Sequence, residues 1–223
     1  MKFSLKRRVV AEFTGTLFLL AAVVGSGIMG QRLAAGNAAL ALLVNTIATG
    51  AALVAILLSL GPISGAHLNP AVTLADAWQG GIAWRETPAY ILAQIAGAFA
   101  GVVVAHLMFG LPLLSVSTHA RSGSAQVFSE FVATFGLLAT IWGCTRSRPA
   151  AIPFAVGAYI VAAYWFTAST SYANPAVTLA RCVSDTFSGI RPADVGWFMG
   201  AQLAGAFAAT LLFAWLMPVL KLD

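Results

Sequence analysis

Apolar runs separated by short polar turns cover almost the whole chain, and their lengths fall into two classes. Six runs are long: about 9–29, 38–60, 88–111, 124–144, 150–167 and 195–220. Each has the length of a membrane-spanning helix, for which about 18 or more predominantly apolar residues suffice. Two runs are short, from Pro70 to Ala77 and from Pro175 to Ala180; the first ends at Asp76, Gln79 and Gly80-Gly81, the second at Arg181. Eight helical residues rise about 12 Å, less than half of a ~30 Å hydrocarbon core. The short runs therefore read as half-helices that enter the membrane and turn back. The pattern predicts an all-α membrane protein with six spans and two re-entrant half-helices.

The short runs are copies of each other. Asn69-Pro70-Ala71-Val72-Thr73-Leu74-Ala75 returns as Asn174-Pro175-Ala176-Val177-Thr178-Leu179-Ala180. The flanking spans repeat as well. Ala11-Glu12-Phe13 matches Ser129-Glu130-Phe131, and the stretch from Gln94 to Ala100 matches that from Gln202 to Ala208. Residues 9–111 and 124–220 are thus two halves of one channel-like domain over 1–223. Each half has an odd number of spans, so the second enters from the opposite face, giving an inverted repeat.

Composition narrows the class. The chain of 223 residues is 60% hydrophobic and 9% charged, against about 25% charged in soluble domains. Its net charge of +5 forms no basic stripe with interleaved aromatics, which argues against nucleic acid. The basic start before the first long run reads as the flank of a span, not as a signal peptide. With the N-terminus inside, Lys2, Lys6, Arg7, Arg8, Arg85, Arg146, Arg148 and Lys221 are cytoplasmic, and Arg32, Arg121, Arg181 and Arg191 are external. The bias predicts that both termini are cytoplasmic. Cys144 and Cys182 lack metal or redox spacing, and His67, His106 and His119 lie in separate segments. No metal site, cofactor or enzyme chemistry is expected.

The half-helices carry the candidate chemistry. Pro70 and Pro175 suit the first helical position, and Asn69 and Asn174 suit the N-cap. Capping uses the side-chain oxygen and leaves each amide NH2 free to donate into the space between the two helix ends. The positive ends of both helix dipoles converge there and oppose cations and protons. A solute path past two fixed donors is the expected result. The loops 64–67 and 169–173 supply carbonyl acceptors along it. Glu12 and Glu130 are acids inside the membrane, which makes them functional candidates. Their symmetry favours support of the two loops over a proton relay. His67 is expected to fix its loop or line the path, and His106 to be packed.

The duplicated Asn-Pro-Ala, the stretch from Ser64 to Thr73 and the Ala11-Glu12-Phe13-x-Gly15-Thr16 start resemble the aquaporin (major intrinsic protein) family. The resemblance runs from Val9 to Met217. It implies a pore in each subunit of a homotetramer, in a bacterial inner membrane, passing water and small uncharged solutes. Family members usually carry Arg directly after the second Asn-Pro-Ala, as part of a four-residue filter. Here that position is Val177. Spacing from the motifs assigns Thr49, Ser171 and either Ala162 or Tyr164 to the other positions. The loop before Asn174 is two residues shorter than the family pattern, which leaves that last choice open. Such a filter holds no charge and is wider than a strict water filter unless Tyr164 fills it. Arg181, one helical turn further on, could reach towards the pore or anchor the outer surface, and the second is the expectation. The stretch from Thr170 to Thr178 also resembles a bacterial branch often encoded with arsenic-resistance genes, which implies glycerol-like polyols, undissociated arsenite and methylated arsenicals as solutes. The alternatives are a water-selective pore and a proton-coupled transporter.

Overall fold

The computed structural model describes residues 3–217. Lys2, Lys221 and residues 218–220 of the last expected span lie outside them. Among the described residues eight α-helices form: α1 (Leu5–Leu33), α2 (Ala38–Ser64), α3 (Pro70–Trp78), α4 (Thr87–Phe109), α5 (Ser124–Ser147), α6 (Ile152–Phe166), α7 (Pro175–Ala180) and α8 (Pro192–Leu216). Six are long and apolar enough to cross a membrane, with α6 extended by a 3-10 turn over Pro149–Ala151. The two others are the half-helices.

The boundaries moved where side chains hold the chain. Helix α1 starts at Leu5 rather than Val9. Arg8 there bonds Glu86 at 2.9 Å, before α4, which gives the added turn a tertiary anchor. Helix α2 runs through Pro62 to Ser64. Proline removes one backbone donor but its φ suits a helix. Gly65, at φ +89°, then ends the helix in the left-handed region.

Packing repeats between the halves. Helix α1 packs on α2 and α4, and α5 packs on α6 and α8 in the same way, with α2 against α6 joining the halves. Gly97 on α4 lies against the Phe13 carbonyl of α1, and Gly205 on α8 lies against the Phe131 carbonyl of α5. A Cβ at either site would collide with that oxygen, so the small residues serve packing within the chain. The outer surface is apolar, with Phe18, Leu92, Phe128, Trp197 and Trp215 all exposed. A bilayer supplies the surroundings such a surface requires.

Candidate functional site

The half-helices meet end to end at the centre. Asn69 and Asn174 are extended, at φ −155° and −158°, and act as N-caps. The Asn69 Oδ1 accepts from the Ala71 amide at 2.9 Å, and the Asn174 Oδ1 accepts from the Ala176 amide at 3.0 Å. Pro70 and Pro175 occupy the first helical turn, where their missing N–H costs nothing. The sequence suggested wholly free amides, but one proton of each is tied. Asn69 Nδ2 donates to the Ala173 carbonyl at 2.8 Å, and Asn174 Nδ2 donates to the Leu68 carbonyl at 2.7 Å. An amide carries two protons. One on each Asn ties the opposite loop, and the other remains for the cavity that both residues line.

The loops entering α3 and α7 are strained at matching positions. Ala66 and Leu68 precede Asn69 with φ of +45° and +52°; Ser171 and Ala173 precede Asn174 with φ of +51° and +48°. The left-handed region costs a residue with a Cβ about 1–2 kcal/mol, so something must hold it. The two buried carboxylates do. Glu12 accepts from the amides of His67 (3.0 Å) and Leu68 (2.7 Å), from Ser64 Oγ (2.6 Å) and from Gln94 Nε2 (2.8 Å). Glu130 accepts from the amides of Tyr172 and Ala173, both at 2.9 Å, and from Gln202 Nε2 at 2.6 Å. Each glutamine also reaches its half-helix, Gln94 to Thr73 and Gln202 to Thr178. Gln94 and Gln202 entered the sequence analysis only as markers of the repeat. Their recurrence beside the acids was the available signal of this bracing role.

Between the helices runs a cavity of about 200 Å³. On its α3 side His67 faces it, with Nδ1 3.2 Å from Thr73 Oγ1 and Nε2 3.6 Å from Asp76. Asp76 also lines the cavity, a position that the sequence reading treated only as the end of an apolar run. His106 is packed away from it, bonded to the Pro112 carbonyl and Ser184.

On the α7 side the cavity is lined by Thr49, Tyr164, Ser171, Val177 and Arg181. One open choice is narrowed and one expectation is corrected here. Ala162 is exposed on the outer face of α6, whereas Tyr164 is buried, lines the cavity and donates to Thr49 Oγ1 at 3.4 Å. A helix turns about 100° per residue, so positions two apart point to opposite sides. Arg181 is no surface anchor. It is 2% exposed, and its guanidinium carbon lies 3.5 Å from the Tyr172 ring centroid. Its Nε donates to the Ser188 carbonyl. This end of the cavity therefore carries a charge, against the neutral lining expected from sequence. Arg121 approaches the same Tyr172 ring at 5.1 Å and donates to the Gly189 carbonyl at 2.8 Å. Burial, with Arg121 and Arg181 nearby, pushes His119 in the adjoining loop below the usual histidine range.

Six spans, two opposed half-helices and a lined central cavity define a membrane channel. The sequence matches the family described as major intrinsic protein over residues 1–162 and 147–222, and the chain belongs to that family of passive channels. It is 57% identical to aquaglyceroporin AqpS of Rhizobium meliloti (strain 1021), covering 97% of this chain and 92% of that one. It is 36% identical to aquaporin NIP1-4 of Oryza sativa subsp. japonica, over 95% of this chain and 79% of that protein. The X-ray structure of the aquaglyceroporin from Plasmodium falciparum shares the fold, with a TM-score of 0.72, 20% identity and 95% of both chains covered.

Proposed function

We propose that the chain is a passive pore for water and for uncharged solutes of glycerol size, forming one channel domain per subunit. The observation that carries this reading is the pair Asn69 and Asn174. Each is locked by its own helix end and by the opposite loop, with one N–H left for the cavity. Solutes pass these two donors in single file. Thr49, Tyr164, Ser171 and Val177 form the filter on the α7 side. The small Val177 side chain leaves room there for polyols. The relative named an aquaglyceroporin, 57% identical over most of the chain, supports glycerol as one solute. Undissociated arsenite and methylated arsenicals are solutes of the same uncharged kind.

Glu12 and Glu130 act as loop supports and not as a proton relay. Both are 0% exposed, and their oxygens are occupied by backbone and glutamine donors. The subunits assemble as homotetramers in a bacterial plasma membrane with both termini cytoplasmic. Stopped-flow swelling of proteoliposomes, compared across water, glycerol, urea and arsenious acid, tests the reading. Linear flux of glycerol with weak temperature dependence is expected. Water flux alone would indicate a strict water pore, and saturable flux driven by a pH gradient would indicate a coupled transporter.

A further inference from the structure

We propose that Arg181 is the charge-selecting residue of this pore, and that it admits neutral solutes with acceptor oxygens while repelling protons and small organic cations. This rests on the channel reading above. Helix α7 continues into Arg181, whose amide bonds the Val177 carbonyl. Residues four apart on a helix share a face. The guanidinium therefore sits on the cavity side one turn beyond Val177, and it lines the cavity.

Three observations make it a pore group and not a structural one. First, Arg181 is buried, yet among the described residues it has no acidic partner; the ion pairs there involve Arg8, His67 and Arg191. An unpaired charge is costly to bury away from water, so a cavity able to hold water and solute is the natural place for it. Second, only Nε is tied to protein, by the Ser188 carbonyl. The terminal nitrogens make no hydrogen bond to another described residue, and the residue lines the cavity. The Tyr172 ring holds the plane from behind through a cation–π contact, and Tyr172 is itself fixed by its hydroxyl bonds to Ser188 and Gly189. Third, Ser171 lines the same cavity, and its buried Oγ makes no hydrogen bond to another described residue.

The device separates two jobs. Val177 sets a wide bore, and Arg181 supplies a fixed positive charge beyond it. A solute such as glycerol or urea can accept from the guanidinium, whereas methylammonium and hydronium meet like charge in a poorly screened space.

The test uses the full chain in proteoliposomes, with glycerol and urea swelling, methylammonium uptake and proton flux after a pH jump. Wild type should pass glycerol and exclude both cations. For Arg181→Gln, cation flux relative to glycerol should rise by about tenfold or more. Arg181→Lys should restore the exclusion. Arg181→His gives an independent check if the glutamine variant fails to fold. It should exclude methylammonium near about pH 5.5, where imidazole is charged, and leak it near about pH 8. Unchanged cation-to-glycerol ratios in the variants, with glycerol conduction intact, would overturn the proposal. A wild-type protein that passes neither glycerol nor urea would overturn the channel reading itself, a separable result.

Discussion

The Asn69 side chain donates to the Ala173 carbonyl at 2.8 Å, so each half-helix cap also clamps the loop of the other half. Asn174 returns the same bond to Leu68 at 2.7 Å. Replacing one amide by a carboxylate removes the donor and sets a negative oxygen against a carbonyl. Leaving a buried acceptor without its partner costs about 1–3 kcal/mol. Asn174→Asp is expected to lower the unfolding temperature in detergent and to cut glycerol flux. Equal flux and equal thermal stability would show that the cross-loop bond contributes little.

The carboxylates of Glu12 and Glu130 hold loops whose left-handed residues would otherwise relax. Glu130→Gln keeps the shape but points an NH2 at backbone donors from Tyr172 or Ala173. The expected outcome is a loss of stability of about 1–3 kcal/mol per donor left unsatisfied, read by thermal unfolding. A proton relay would behave differently. Its glutamine variant would keep normal stability and lose only pH-driven flux.

Val177 stands on the cavity wall one turn before Arg181. Val177→Arg fills the bore with a second guanidinium beside the first. Glycerol permeability should fall by about tenfold or more, the effect of roughly 1.4 kcal/mol on a barrier, while water still passes. Swelling assays with both solutes read the ratio. Unchanged glycerol uptake would remove the wide-filter reading.

Gly97 on α4 and Gly205 on α8 allow their helices to touch the carbonyls of Phe13 and Phe131. Gly97→Val must separate α1 from α4. Because Glu12 and Gln94 lie on these two helices and bond each other at 2.8 Å, the loop into α3 should loosen too. The variant is expected to lose monodispersity on size-exclusion chromatography. Retained monodispersity and flux would mean that the helix pair tolerates the extra volume.

Much of the fold was legible because its signals are local. Span length, the short runs, and the Asn-Pro pairs at two helix starts are properties of contiguous residues. The repeat turned Glu12 and Glu130 from anomalies into a symmetric pair, which pointed to loop support. The rest was not legible for identifiable reasons. Leu68 and Ala173 adopt left-handed backbone although neither is glycine, and distant groups, the carboxylates and the opposite Asn side chains, hold them there. Counting along α6 left Ala162 and Tyr164 open, because a shortened loop disturbs the register and only the helix's rotation selects the inward residue.

Arg181 marks the boundary between the two kinds of information most clearly. The sequence by itself determined an inverted pair of half-helices in a membrane and a valine directly after the second Asn-Pro-Ala. It could not say where the next arginine points. That depended on α7 continuing one more turn and on Tyr172, from the preceding loop, supplying the ring that backs the guanidinium. Local pattern sets which segments are helical and which enter the membrane, since backbone bonding and hydrophobicity act over neighbouring residues. The charge and bore of the path came from side chains that meet only after six helices have packed.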